Sequence, residues 1–270
     1  MNTIAPYQLE AYNTSKNSDN KIHDDTVAKK FGFEGGLVPG VDVYAYLTHP
    51  AVKTWGQNWL VSGSCDCRLI KPVYDGAIAT VKATFVDAEQ NSMKIKVESA
   101  GQLCAEGTAQ IYRAALEEPN LEQFSIAPLP RERPPASPKS LPVGALLGTY
   151  SMTIPEHFAT EYLHNVRETL PVYREKRLVH PGIILRFSNW VLNHNVDLGP
   201  WIHVGSSIQH FSEVNMGETL SVRARVTNNY ERKGHLFVEL DAVVLAGRKR
   251  VVASIDHTAI YQPRQVQEAR

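Results

Sequence analysis

Two stretches of the chain are apolar on nearly every side and predict buried helices. The first covers residues 41–47 and the second residues 183–192. A helix that is apolar all round belongs in the core of a protein. Shorter runs with strand character follow each stretch, and residues 81–85 alternate between apolar and polar positions as a half-buried strand does. The pattern therefore predicts two units, each with one buried helix and several strands.

The remaining elements follow from the same patterns. In the first unit we predict a strand at 7–12, a short helix at 24–31 capped by Asp24 or Asp25, and strands at 59–70, 77–87, 93–99 and 102–112. In the second unit we predict strands at 202–211, 219–227, 236–245 and 251–261. Turn chemistry between them is expected at Asn228-Asn229 and Lys233-Gly234.

The two units also share a spaced motif. A Pro-Gly pair, Pro39-Gly40 in one unit and Pro181-Gly182 in the other, precedes each buried helix. The spacing from Gly40 to Trp59 equals that from Gly182 to Trp201. Similarity at a fixed offset indicates duplication, and two copies favour a duplicated domain over a solenoid.

A proline-rich stretch separates the copies and cannot be a helix or a central strand. We predict one unit over residues 1–115, an extended linker over 116–145 and a second unit over 146–265. An antiparallel sheet that curls round a long helix buries that helix, and two such sheets paired edge to edge cover their open strands. The predicted fold class is α+β, in the arrangement called a double hotdog.

Composition narrows the classes of function. The formal net charge is zero, so nothing suggests binding to nucleic acid or to an anionic membrane surface. No apolar run approaches the roughly 20 residues that span a bilayer, and the polar N-terminus lacks the apolar core of a signal peptide. Three cysteines in a chain of 270 residues indicate a reducing compartment, so a cytoplasmic protein is expected.

The chemistry-bearing motif lies before the first buried helix. It consists of Asn20, Ile22, His23, Asp25 and, further on, Gly40. These residues resemble the signature of the MaoC-like dehydratases and R-specific enoyl-CoA hydratases, in which Asp, any residue, Asn, Pro, an aliphatic residue and His come in a row. The chain departs from that signature at two positions. Ser18 stands where the family has its catalytic Asp, and Lys21 stands where the family has Pro.

The resemblance implies a lyase that adds water to an enoyl thioester, or removes it from a 3-hydroxyacyl thioester, in fatty acid or polyketide metabolism. His23 would be the acid/base residue, assisted by Ser18, Asn20 and Asp25. The thioester would be carried on CoA or on an acyl carrier protein, with no metal or redox cofactor. Because two units already pair within one chain, both a monomer and a homodimer stay open.

The helix N-terminus at Gly40 suits a thioester for independent reasons. Free N–H groups at a helix start stabilise negative charge that develops on a carbonyl oxygen. A glycine lets a substrate approach that backbone closely. We therefore expect Pro39, Gly40 and Val41 to contact the substrate. His23 itself titrates near neutrality and can act as a general acid or base.

The second unit carries an altered copy of the motif. Glu168 stands at the position of the family Asp and Tyr173 at that of its His, and the stretch from Tyr173 to Gly182 is too short for the motif helix. Loss of function in this copy is favoured over a divergent acid/base pair. Its pocket could then accept a longer acyl chain, with Glu168, Tyr173 and His180 among the substrate-binding residues.

Other assignments stay open from the sequence. Asp42, near the start of the first buried helix, could serve a hotdog thioesterase or could simply interact with the helix dipole. Loss of the family Asp is also consistent with a protein that only binds acyl thioesters, or with an isomerase or cyclase. His203 and His210, in a predicted strand, are expected at the surface or at the rim of the site.

Overall fold

One antiparallel sheet of ten strands dominates the computed structural model, which describes residues 3–247 and 249–264. The strand order is β1-β3-β4-β5-β2-β7-β10-β9-β8-β6. The strands are β1 (Thr3–Glu10), β2 (Gly63–Leu69), β3 (Ile78–Phe85), β4 (Ser92–Ser99), β5 (Gln102–Ile111), β6 (Tyr150–Thr153), β7 (Ile202–His210), β8 (Thr219–Arg232), β9 (His235–Ala246) and β10 (Arg250–Gln262).

Two long helices lie against this sheet, and both were predicted from their apolar character. The α-helices are α1 (Asp25–Lys30), α2 (Gly40–Trp55), α3 (Gln57–Ser62), α4 (Glu156–Asn165), α5 (Pro171–Glu175) and α6 (Pro181–Asn195). Short 3₁₀ turns occupy Lys21–His23 and Leu121–Gln123. Helices α2 and α6 are buried over most of their lengths, which accounts for their nearly continuous apolar sequences.

The long helices also pack on each other, and a glycine permits the close approach. A Cβ added at Gly182 would lie 3.1 Å from the Cβ of Ala45 and would collide with the hydroxyl of Tyr162. Strands β2 and β7 pair antiparallel at the centre of the sheet, with Cys65 opposite Ile208. This pairing joins the strands that follow α2 to those that follow α6, as the predicted edge-to-edge arrangement requires.

Two local predictions were wrong. The run predicted as a strand from Trp59 begins as helix α3, because Gly56 turns the chain at φ 61° and Trp59 then enters the core fully buried. Asn228 and Asn229 lie within β8 rather than in a turn. The amide of Asn229 is satisfied there, since it donates to Leu141 O at 2.9 Å and accepts from the hydroxyl of Tyr261 at 3.0 Å. The turn predicted at Lys233-Gly234 is confirmed, with positive φ at both residues.

The proline-rich stretch packs against the body of the protein. Phe124 is buried against Val243, Leu245 and Val251, and Leu141 is fully buried. Pro135 forms an isolated bridge with Asp197. Across residues 3–247 and 249–264, no helix has both the length and the apolar character needed to cross a membrane.

Candidate active site

Two aspartate side chains close the loop that carries His23 by accepting hydrogen bonds from backbone N–H groups. Asp24 caps α1 by accepting from the N–H groups of Thr26 and Val27 at 2.9 and 3.0 Å. Asp25 accepts from Gly36 N at 2.7 Å. These bonds return the chain so that the carbonyl of Leu37 lies beside His23. Asp25 is exposed and lines neither cavity described below, so its observed contact closes the loop.

Contacts at both ring nitrogens orient the imidazole of His23. Nδ1 lies 2.6 Å from the carbonyl oxygen of Leu37, which can only accept, so Nδ1 carries the hydrogen. In the neutral ring Nε2 is then the basic nitrogen, and it lies 3.4 Å from Nδ2 of Asn20. Burial lowers the pKa of His23 and outweighs the opposite effect of the hydrogen bond to Leu37. His23 is therefore a neutral base near pH 7.

Asn20 joins the His23 loop to the other half of the sheet. Its Nδ2 donates to Trp201 O at 3.0 Å, and its Oδ1 accepts from Trp201 N at 3.2 Å. The buried Asn20 side chain thereby fixes the position of Trp201, at the start of β7, relative to His23. Ser18 lies nearby, with its hydroxyl donating to Asn20 O at 3.3 Å.

Two cavities meet at His23. One, of about 500 Å³, has a largely polar wall that includes Ser18, Asp19, Arg133, Arg186, Asn193 and His194. The other, of about 370 Å³, has a largely apolar wall that includes Phe31, Leu37, Val43, Leu69, Val73 and Ile260. We call them the polar cavity and the apolar cavity. The residues common to both are Asn20, His23, Pro39, Asn189 and Trp201.

The N-terminus of α2 reaches the same junction. Pro39 is the N-cap residue and no side chain caps the helix. The first backbone bonds run from Asp42 N and Val43 N to Pro39 O, which leaves the N–H groups of Gly40 and Val41 without a partner within the described part of the chain. Gly40 lines the apolar cavity and Val41 the polar cavity. The helix start therefore offers two donors where the cavities meet.

Gly40 leaves no room for a side chain. An added Cβ would lie 2.7 Å from Nδ1 and 3.2 Å from Cγ of His203, and would collide with Leu69. We expect Gly40→Ala to lower turnover by about 100-fold, because small misplacements in a site can cost that much. Gly199→Ala is the matched control, since nothing lies within 4 Å of the added atom there. Equal kcat/KM of the two folded variants in an enoyl-CoA assay would contradict a role of this close approach in the site.

Asp42 lies in a buried ion pair that joins α2 to α6. Its Oδ1 accepts from Arg186 Nη2 at 2.6 Å, and its Oδ2 accepts from the hydroxyl of Thr14 at 2.6 Å. The same Arg186 nitrogen donates to Thr14 at 2.9 Å. Asp42 is fully buried and lines neither cavity. The carboxylate is thus engaged in structure rather than directed at a substrate space.

The residues of the altered motif in the second unit are buried and face no cavity at His23. Glu168 is buried between His49 and His180, with Oε1 3.0 Å from Nδ1 of His49 and Oε2 3.6 Å from Nε2 of His180. Burial alone would raise the pKa of Glu168, but the contacts with His180 and His49 hold it below its usual range. Tyr173 is also fully buried. Glu168, Tyr173 and His180 line neither of the two cavities at His23.

Two histidines expected at the surface or rim are buried instead. His210 is fully buried and packs edge-on against Trp59 at 5.0 Å between ring centroids. His203 is only 7% exposed and lines the apolar cavity. Both point inward from β7, and the sequence alone does not reveal that this face of the strand covers α2 and the cavity.

Sequence reasoning also missed Asn189, which lines both cavities. Its Oδ1 is buried and has no hydrogen-bond partner among the described residues. A signal was present, because Arg186, Ser188 and Asn189 are polar positions within the otherwise apolar stretch 183–192. Within the same described residues, no group of three or more His, Cys, Asp or Glu side chains is arranged to hold a metal ion.

The sheet order and the two central helices define a double hotdog fold, as predicted. The chain is similar over nearly its whole length to a protein of Chloroflexus aurantiacus J-10-fl described as a MaoC domain dehydratase, with a TM-score of 0.62, 13% identity and coverage of 97% of this chain and 95% of that one. It is also similar to a Mycobacterium tuberculosis protein with a double hotdog fold, with a TM-score of 0.61, 13% identity and coverage of 94% and 95%.

Thioesterases share the fold as well. A Thermobifida fusca YX protein described as a thioesterase II matches with a TM-score of 0.52, 13% identity and coverage of 96% of this chain and 92% of that one. No protein-family model and no curated protein matches the sequence. At these identities the likeness shows the fold, and function has to be argued from the site.

Proposed function

We propose that this protein is a hydratase or dehydratase that acts on an acyl thioester. The observation that carries the proposal is the position of His23. A neutral base of fixed tautomer stands where a polar and an apolar cavity meet, beside a helix start at which the N–H groups of Gly40 and Val41 have no partner in the described part of the chain. The apolar cavity is of a size that binds small molecules and would hold the acyl chain.

The proposed reaction needs one base and one carbonyl clamp. In the hydration direction, Nε2 of His23 takes a proton from water while the water oxygen bonds to the β-carbon of the enoyl group. The electron pair of the double bond moves toward the thioester carbonyl, and the N–H groups of Gly40 and Val41 stabilise the negative charge on its oxygen. His23 then returns the proton to the α-carbon, and dehydration is the reverse.

The polar cavity would supply the water and admit the carrier arm. Ser18 and Asn20 stand at its wall next to His23, where a hydroxyl and an amide can orient a water molecule. The carrier, CoA or an acyl carrier protein, would lie outside the chemical step. The proposed site involves no redox cofactor and no metal in that step.

Purified protein incubated with enoyl-CoA substrates of increasing chain length tests this function. We expect loss of the conjugated-thioester absorbance, with a decline in rate once the chain exceeds the apolar cavity. Unchanged absorbance at every chain length, for a folded sample, would contradict the proposal.

Restoring the carboxylate of the family motif at position 18 tests whether the site works by the chemistry that the motif implies. We expect Ser18→Asp to raise hydration by at least about tenfold, because a positioned carboxylate can share the proton transfer with His23. Ser15→Asp is the matched control, since Ser15 also lines the polar cavity but belongs to no motif. An equal response of the two variants would argue against a role for position 18.

A thioesterase is the second candidate, because proteins described as thioesterases share the fold. The thioesterase hypothesis from the sequence relied on Asp42. The bonds of Asp42 to Arg186 and Thr14, and its absence from both cavity walls, weigh against that carboxylate as a nucleophile or base. A thioesterase here would need another group to activate water.

A further inference from the structure

A second histidine stands at the start of α2, and it comes from the opposite half of the sheet. His203, on β7, is 7% exposed and lines the apolar cavity. Its Nδ1 has no hydrogen-bond partner within the described residues. That nitrogen lies 2.7 Å from where a Cβ of Gly40 would be. A buried polar atom without a partner in the described structure thus lies close to the start of α2, where the N–H groups of Gly40 and Val41 also lack described partners.

The other side of the His203 ring enters a chain of buried hydrogen bonds. Nε2 lies 2.8 Å from the hydroxyl of Ser206, and that hydroxyl lies 2.9 Å from Nδ1 of His257. Nδ1 of His257 also lies 3.0 Å from the hydroxyl of Ser188, which donates to Leu185 O at 2.7 Å. The two imidazole rings stack at 4.5 Å between centroids. A network of this kind holds the His203 ring in place.

The network also bears on which nitrogen of His203 carries its hydrogen. With the hydroxyl hydrogen of Ser188 on Leu185 O, the Ser188 oxygen accepts, and Nδ1 of His257 is then the donor to it. His257 then donates to Ser206 as well, and the hydroxyl hydrogen of Ser206 is free to point at Nε2 of His203 or at Gly205 O. When it points at Nε2, the hydrogen of His203 resides on Nδ1, toward Gly40. When it points at Gly205 O, Nε2 carries the hydrogen instead.

Burial keeps this ring neutral. It lowers the pKa of His203 to about 4, against a smaller opposite effect of Gly205. At neutral pH the ring is therefore a neutral imidazole, which can donate one hydrogen bond without bringing a buried charge. Neutral imidazole donors of this type can polarise a carbonyl group.

We propose that Nδ1–H of His203 is a third donor to the thioester carbonyl oxygen, alongside the N–H groups of Gly40 and Val41. The inference rests on the proposed function in one respect, which is that an acyl thioester occupies the apolar cavity. It adds a catalytic residue from the second unit that no motif indicates. It also gives the second unit a role in the chemistry, although the residues of its own altered motif are buried away from both cavities. Ser206 and His257 are positioning residues that act through His203.

Binding of a chromophoric thioester, dimethylaminocinnamoyl-CoA, tests the proposal without requiring turnover. Hydrogen bonds to its carbonyl oxygen draw charge toward that atom and move its absorbance to longer wavelength. We expect the shift with the wild-type protein and its loss in His203→Leu, together with a fall of about 100-fold in kcat, the cost typical of one oxyanion donor. His203→Asn keeps an amide N–H near the position of Nδ1 and should retain part of the absorbance shift and part of the wild-type kcat.

Three controls make the result specific. His210→Leu changes a buried histidine on the same strand that lines neither cavity, so shift and turnover should be kept. Ser206→Ala should reduce the shift, because it removes the group that orients His203. His23→Ala should keep the shift while losing turnover. A full shift in folded His203→Leu would overturn the proposal.

The outcomes separate this inference from the proposed function. A shift that depends on His203, with no hydration of any enoyl-CoA, would support the clamp and overturn the hydratase. Hydration by the wild type, with a shift indifferent to His203, would support the hydratase and overturn the clamp. Failure of wild-type protein to bind the probe or any enoyl-CoA would overturn both.

Discussion

Replacing His23 with alanine is expected to lower the hydration rate by at least about 100-fold, the range typical of a general acid or base. Stability should change little, because among the described residues the ring nitrogens contact only Leu37 O and Asn20. Steady-state kinetics on the preferred enoyl-CoA measure the effect. His157→Ala, which changes an exposed histidine on α4, is the control and should keep full activity.

The pH profile gives the same prediction an independent readout. His23 must be neutral to accept a proton from water, and burial lowers its pKa below the usual value near 6.5. The rate should therefore stay constant as the pH falls through 6.5 and decline only when the pH passes below the lowered pKa. That acid limb should vanish in His23→Ala. Near wild-type turnover in this variant would refute the assignment of His23.

Replacing Asp42 with alanine is expected to destabilise the fold by about 3–5 kcal/mol, the cost of removing one partner of a buried ion pair. Arg186, which is mostly buried in the wall of the polar cavity, would be left beside Thr14 without its counter-charge. Denaturant unfolding measures the loss of free energy. Glu106→Ala breaks the exposed pair between Arg68 and Glu106 and should cost less than about 1 kcal/mol.

A double variant separates structure from chemistry at this position. Asp42→Ala with Arg186→Leu removes both charges and should recover much of the lost stability, as exchanges of buried pairs for apolar residues do. A change in activity without a change in stability would favour the thioesterase. In that case Asp42→Ala would keep its free energy of unfolding and lose all thioester hydrolysis.

The main helices were predictable because they are apolar on nearly every side, and most strands because of their strand-like apolar patterns. The apolar stretch at the start of α2 and the alternation in β3 depend only on which faces are buried. The prediction failed at Asn228 and Asn229, whose propensity for turns is overcome by pairing with Glu239 and Val238 across β8 and β9. A short stretch of sequence does not reveal the distant partners of their backbone and side chains.

The site was predictable only as far as its local motif. His23, Asn20 and Gly40 are close in sequence, and the structure brings them to one junction. Asn189 and His203 reach that junction from the other half of the sheet, through α6 and β7, and nothing in their local sequence sets them beside His23. Asp42 was visible as a charged residue on an apolar helix, but its partner Arg186 lies 144 residues away.

The central claim is that the thioester survives the reaction. One assay follows conjugated-thioester absorbance and free thiol together while the purified protein acts on enoyl-CoA substrates from short to long. We predict that absorbance falls with no release of thiol, and that 3-hydroxyacyl-CoA gives the reverse change. Thiol release in step with loss of substrate would contradict the account and identify the protein as a thioesterase.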